Sequence, residues 1–404
     1  MSRPPAIVLS YVVTGLATAR GLWAGGVDVH AVTFEPWEPI RFSRSCRHVD
    51  LSGRGLSDDE LVDWLLEFSK RFSERPVLIP TSDAHVLLLS ARRDRLASHF
   101  RMFTTEHREV LRIVSKEGLY QMARDAGVGV VPAVVEPSYE QLESWTREHP
   151  APYFVKPYYE GIEGSALRVK NLHFTNRDEL LAFAQQQGTA RCIVQRQLYG
   201  GDGFIFDCYG YCDATGKVVT MASHRRLRQF PPNAGTTTYG EIPAAPVGHD
   251  EAVLFENTAR LLSTTRYHGI FGIEWLQDRD TRALHLIDFN ARPFSSIGHL
   301  CDCSLNLPLL AYRDLSGDDL TQVEPRPALR HLFWIDLRRD ISCVRALAPA
   351  ERPPFQQWLR SILTCRSHAY FSLRDPGPGL YRGLTMARLA LHFPFHRHNT
   401  GRSG

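Results

Sequence analysis

The 404 residues, 43% hydrophobic and 23% charged, suffice for a sizeable core and fit a globular chain of roughly two to four domains. A formal net charge of +3, with no basic stripe interleaved with aromatics, excludes nucleic acid as an expected partner. No apolar run approaches the ~18–20 residues of a membrane helix. The start MSRPPAIVLSYVV enters a strand pattern rather than a leader, and the eight cysteines form no CxxC pair. A cytoplasmic protein with reduced thiols and no membrane span is therefore expected.

The chain opens with a buried-type strand, AIVLSYVV, then a helix LATARGLWAGG and a second strand VDVHAVT. This βαβ start implies a parallel sheet. It lacks the full GxGxxG with a following acid, so a dinucleotide site is not expected. An amphipathic helix over 56–72 begins with a Ser57/Glu60 capping box, and RPVLIPTSD supplies a strand ending at Thr81, Ser82 and Asp83. From Ile113 a second segment begins. Ser115 caps a helix at Lys116–Gly127, GVGVVPAVV is a strand interrupted by Pro132, and APYFVKP precedes the glycine-containing turn YYEGIEGSA. Only five of the 47 basic residues are lysines, so Lys116 and Lys156 stand out in a chain that otherwise uses arginine. A lysine on a strand followed by a Gly/Ser tip is a phosphate-covering device, because free backbone N–H groups and a cation meet the oxyanions.

A third segment runs from the strand CIVQRQL through the turn YGGDG into an antiparallel meander ending in HRRLRQF. PPNAGTTTYGEIPAAPVGHD follows, long enough to be a functional loop. Strict alternation would send Arg226 and Arg228 the same way, and spacing alone does not settle which of Arg225, Arg226 and Arg228 faces a site. Next comes a hairpin with strands expected over 270–276 and 283–289. Asp288 and Asn290 are two apart and project together, and Glu274 on the first strand can lie opposite them. Two carboxylates and an amide oxygen form a hard-oxygen set suited to Mg2+, and Arg292 is a fork suited to phosphate or carboxylate. Beyond about residue 320 the chain is rich in Arg, Leu, Trp and Pro, and its last helix is expected to pack its apolar face internally.

The order of these elements resembles the ATP-grasp superfamily, and within it the carboxylate–amine ligases related to D-aspartate ligase and the ATP-binding halves of carbamoyl-phosphate synthase. The resemblance covers roughly residues 5–320 and rests on SKEGLYQMARDAGVGVVP, YFVKPYYEGIEGSALRVK, VQRQLYGGDG and the hairpin YHGIFGIEWLQDRDTRALHLIDFNARPF. It implies an α/β (α+β) fold. A Rossmann-like pre-ATP-grasp domain would span 1–112, followed by subdomains at 113–190 and 191–320 and a C-terminal extension at 321–404. By resemblance Lys116 and Lys156 contact phosphates, and Gly161, Gly164 and Ser165 belong to the flap. Gln195 with the backbone of Arg196, Gln197 and Leu198 would read adenine, and Asp202 the ribose. Glu274, Asp288 and Asn290 would hold one or two Mg2+ ions, with Mn2+ as a substitute. Asp288 stands where the family usually has Glu, one methylene longer. Arg292, Arg226 and Arg228 are the candidate catalytic cations. The implied activity is ATP-dependent amide formation through an acyl phosphate, with small-molecule carboxylate and amine substrates, an amino acid among them. A homodimer, a phosphotransferase and a non-catalytic ATP-binding module stay open.

Overall fold

The computed structural model describes residues 3–157, 172–198, 203–232, 235–244 and 251–392. The first four strands, β1 (Ala6–Leu9), β2 (Val29–Thr33), β3 (Arg47–Asp50) and β4 (Val77–Pro80), form an all-parallel sheet in the order β3-β2-β1-β4. Every residue of β1, β2 and β4 is buried, as a parallel sheet covered by helices requires. The expected capping box at Ser57 and Glu60 starts the helix Asp58–Ser69. The break expected at residue 112 falls inside the helix His107–Val114, which packs on the next helix, Lys116–Asp125. That helix also packs on the helix Asp83–Ala91, so it bridges the two parts.

Pro132 splits GVGVVPAVV into β5 (Gly129–Val130) and β6 (Ala133–Val135), because a residue without an N–H cannot continue a ladder. The halves go to different sheets. With β7 (Tyr153–Pro157), β8 (Leu172–Phe174) and β9 (Cys192–Arg196), β6 makes a small antiparallel sheet ordered β6-β9-β7-β8. The helices Tyr139–Glu148 and Arg177–Gln187 cover it over a core of Leu142, Tyr153, Val155, Leu180 and Val194.

The large sheet contains β10 (Ile205–Cys212), β11 (Val218–Phe230), β12 (Thr236–Ile242), β13 (Gly269–Gln277) and β14 (Leu284–Asn290). It is completed by β5 at one edge and by β15 (Leu332–Ile335) and β16 (Ser367–His368) at the other, in the order β16-β15-β12-β11-β10-β13-β14-β5. One expectation is corrected here. The Pro/Gly-rich segment is not one long loop, since Thr236–Ile242 is a strand paired with β11. The C-terminal extension joins its strands to the same sheet as the hairpin. Its DPGPGLY element also ties it to the first unit. Asp375, 1% exposed, accepts from Arg20 Nε at 2.8 Å, Ser43 Oγ at 2.6 Å and the Arg44 amide at 3.0 Å. Among the described residues no helix is long and apolar enough to cross a membrane.

The parallel sheet, the small sheet, the large sheet and the C-terminal piece together wall one cavity of about 1440 Å3. That exceeds the ~300–1,000 Å3 of most small-molecule sites.

Candidate active site

The hairpin β13–β14 sets the register of the site. Glu274 lies directly opposite Asp288, and Gly272 opposite Asn290, with a bulge between Glu274 and Trp275 in the pairing. On the other side of β13, Glu274 lies opposite Asp207 of β10, and Asp207 lies opposite His224 of β11. Three carboxylates therefore stand side by side across three adjacent strands. Like charges facing each other across a sheet destabilise it, so this row needs cations between its members.

Two cations supply the balance. Arg226 grips Asp207 with both arms, Nη2 to Oδ1 at 2.6 Å and Nε to Oδ2 at 3.0 Å, and its Nη2 also reaches Glu274 Oε1 at 2.6 Å. Its remaining Nη1 donates to the Gly235 carbonyl at 3.1 Å. A Cβ on Gly235 would lie 2.0 Å from the Phe230 carbonyl carbon, so only glycine lets the chain close here. Lys116, at the start of its helix, bonds Asp288 Oδ1 and the Ile287 carbonyl. Asn290 completes the cluster, donating from Nδ2 to Glu274 Oε1 at 2.9 Å and Gly272 O at 3.3 Å.

The charge states follow from this packing. Burial would raise Asp207, but Arg226 and His224 more than offset it and hold the carboxyl well below its ordinary range. Burial raises Glu274, the middle acid, helped by Asp207 and Asp288 and opposed by Arg226. Asp288 sits low despite burial because of Lys116, Lys156 and Arg292, while burial's downward pull on Lys116 is overcome by Asp288. Behind the row, Asp207 Oδ2 also meets His224 Nδ1 at 2.6 Å and accepts from Tyr209 Oη at 3.1 Å, and Tyr209 Oη meets Ser296 Oγ at 2.9 Å.

The expected residues sort as follows. Lys116, Lys156, Gln195, Arg196, Gln197, Leu198, Arg226, Glu274, Asp288, Asn290 and Arg292 all line the cavity. Lys156 and Phe154 share a face of β7, and Phe154 lies opposite Gln195 of β9. The amides of Arg196 and Gln197 already donate to the carbonyls of Pro132 at 2.9 Å and Pro152 at 2.8 Å. Gly161, Gly164, Ser165 and Asp202 lie outside the described residues.

Arg228 is the correction. Arg226 pairs with Gly240 and Arg228 with Tyr239, so Leu227 is the extra residue of a bulge and the alternation breaks. Arg228 leaves the cavity, stacks 4.2 Å over Tyr239, and forks onto Asp340 at 2.8 and 3.0 Å. Arg225 also turns away, to the Gly203 carbonyl at 2.8 Å and Glu241 at 3.4 Å. Arg292 does face the cavity, but its fork is held at 2.8 Å on both arms by Asp83, from the first turn of the helix Asp83–Ala91.

Sequence reasoning missed Asp207, Asp83 and Asp340. Asp207 had a signal, a lone acid inside the apolar strand FIFDCYGYC; the other two had none, because their partners lie 209 and 112 residues away. Whether a divalent cation fits can be judged from the donor set. Glu274 and Asp288 face each other in register, and Asn290 turns its Oδ1 away from the groups its Nδ2 binds. Two carboxylates and an amide oxygen at the wall of a cavity suit a hard cation that keeps positions for water or phosphate. With no thiolate or imidazole among them they do not suit a soft metal; among the described residues no three of His, Cys, Asp or Glu are grouped to hold a metal of either kind.

Neither a family model nor a curated protein matches this sequence. Solved structures do match in fold. N5-carboxyaminoimidazole ribonucleotide synthetase from Thermus thermophilus superposes with a TM-score of 0.61 at 14% identity, over 88% of this chain and 86% of its own. L-amino acid ligase from Bacillus licheniformis gives 0.60 at 13%, over 82% and 79%. N5-carboxyaminoimidazole synthetase from Staphylococcus aureus complexed with ADP gives 0.60 at 13%, over 82% of each chain.

Proposed function

We propose that this chain, which has the ATP-grasp fold, is an ATP-dependent ligase that joins a carboxylate to an amine through an acyl phosphate. The observation that carries the reading is the convergence on one cavity of two lysines, Lys116 and Lys156, the carboxylates Glu274 and Asp288 with Arg226, and the segment from Gln195 at the end of β9 to Leu198. The ADP in the Staphylococcus aureus relative supports a nucleotide there, and the L-amino acid ligase supports the bond formed.

Gln195 and the Leu198 backbone take the adenine in this reading, since the Arg196 and Gln197 amides are already committed. Lys156 lies near enough to Asp288 to lower its pKa, so a phosphate bound beside that acid meets Lys156, Lys116 and Arg292 together. Glu274, Asp288 and Asn290 would hold Mg2+ or Mn2+, which would supply neutralisation of phosphate charge. Arg226 is fixed on three sides and contributes a preorganised cation that costs no reorganisation during reaction.

A substrate carboxylate oxygen attacks the γ-phosphorus, and the bond from that phosphorus to the leaving oxygen of ADP breaks. The amine nitrogen then attacks the acyl carbon, phosphate departs, and the nitrogen loses a proton. Acyl phosphates hydrolyse readily, so water must be excluded, and the segment holding Gly161, Gly164 and Ser165 is assigned that covering role, with Asp202 on the ribose.

The test is ADP and phosphate release over a matrix of acids and amines, with product mass as readout and hydroxylamine replacing the amine in a parallel set. The reading requires a hydroxamate from the accepted acid. ADP without hydroxamate points to a phosphotransferase, and bound nucleotide without ADP from any acid points to a non-catalytic module.

A further inference from the structure

The cavity continues past the carboxylate row onto a wall built by the C-terminal piece. Arg338, Arg339 and Ser342 of the helix Leu337–Ala346 line it, with Tyr370 and Arg382 beside them. The sequence expectation assigned no role to this segment beyond packing.

The electrostatics of that wall are unusual. Two arginines in the first turn stand at the positive end of the helix dipole, where acids are the stabilising residues. One buried carboxylate, Asp336, stands among them. Asp336 caps the helix, accepting from the Arg339 amide at 3.2 Å, and it is 2% exposed; burial raises its pKa, while the Arg339 amide and the charges of Arg339, Arg382 and Arg338 pull against that rise. Glu351 also lines the cavity. Among the described residues, no carboxylate forms an ion pair with the guanidinium of Arg338, Arg339 or Arg382. Arg382 instead stacks 4.8 Å from the Tyr370 ring and donates to its hydroxyl at 3.3 Å, and its buried Nε has no partner. Folding has concentrated cations on a concave wall and left their forks open.

The place of this wall in the sheet gives a length. Asp336 follows β15, and β15, β12, β11 and β10 are consecutive neighbours. Three strand spacings separate β15 from β10, which is on the order of 15 Å along the sheet. We propose that Arg338, Arg339 and Arg382 form a subsite for a carboxylate or phosphate on the part of the acid or amine substrate that lies farthest from the carboxylate row. The proposal rests on the ligase reading for the identity of the near end. The subsite itself stands on the arginine wall.

The experiment uses the full chain with Mg2+ and AMP-PNP, so that the phosphate positions at Lys116 and Lys156 are filled. Inorganic phosphate and succinate are titrated separately at fixed ionic strength by calorimetry, against wild type, Arg338→Ala/Arg339→Ala, Arg338→Lys/Arg339→Lys and Arg382→Gln. At least one probe binds wild type saturably and weakens about tenfold or more in the alanine and glutamine variants, the scale of a lost charge-assisted hydrogen bond. The lysine variant recovers part of the loss if phosphate is the group, and less if the planar fork on a carboxylate matters. Should Arg382→Gln melt early, the alanine pair decides, because Arg338 is exposed and Arg339 half-buried on a surface helix. Saturable binding of neither probe to wild type overturns the subsite, as does equal binding by wild type and the variants. If AMP-PNP itself fails to bind, the nucleotide reading falls, and the same titrations on the nucleotide-free chain still judge the arginine wall.

Discussion

Replacing Asp207 by Asn tests whether the buried row is organised as described. Asp207 is fully buried and takes two bonds from Arg226, one from Tyr209 and one contact from His224. Asn keeps the shape and one acceptor oxygen but removes the charge, so Glu274 becomes the one carboxylate left on the buried Arg226, beside the Gly235 carbonyl. Removing one partner of a buried ion pair costs about 3–5 kcal/mol, and the surviving contacts put this case near the lower end, about 3 kcal/mol. Urea unfolding followed by circular dichroism measures it. The pH dependence carries an independent sign. The folded pKa of Asp207 lies below the ordinary 3.8. Its stabilisation is therefore complete above that value and is lost as pH falls through the folded pKa. The gap between wild type and Asp207→Asn should be flat from neutral pH down to about 5 and narrow below about 4. A loss under about 1 kcal/mol, the size of one ordinary hydrogen bond, would refute the row's dependence on Asp207. So would a gap that widens in acid.

Glu274→Gln should behave oppositely. It removes the middle charge of three, so stability at pH 7 stays within about 1 kcal/mol of wild type or rises, while Mg2+-dependent nucleotide binding falls by about tenfold or more in a fluorescent-ADP titration. Because the folded pKa of Glu274 is raised, its ionisation penalty is absent below its ordinary 4.5 and appears as pH rises through the folded value, so any advantage of Gln grows over that window. Arg228→Ala leaves the buried Asp340 with only Thr238 and Trp358, and should cost about 2–3 kcal/mol in urea unfolding without changing ADP affinity; a loss of nucleotide binding would return Arg228 to the site. Asp83→Asn frees the Arg292 fork and should tighten ADP binding a few-fold, whereas Arg292→Gln should weaken it; equal effects in both would mean that the pair is only a brace between the two units.

Much of the fold was legible because it is written locally. Strand alternation, the capping box at Ser57, the split at Pro132 and the hairpin around Glu274 and Asp288 depend on neighbours within a few residues, and the structure has each of them. The order of lysine, strand, hinge and hairpin is likewise a property of the chain. Which side chains then meet is not. One extra residue at Leu227 reversed the direction of Arg228, and no periodicity carries a bulge. Asp207 joined the row because β10 pairs with β13, a contact between residues 67 apart; Asp83 reached Arg292 across 209 residues. The C-terminal strands entered the large sheet and brought Arg338, Arg339 and Arg382 to a cavity whose expected residues all lie before residue 320. By itself the sequence determined the elements and the chemistry available along them, since dihedral preference and burial pattern act over a few residues. Only the tertiary structure decided which charges oppose each other and which arginines face the cavity, because register and sheet order are settled by packing between distant segments.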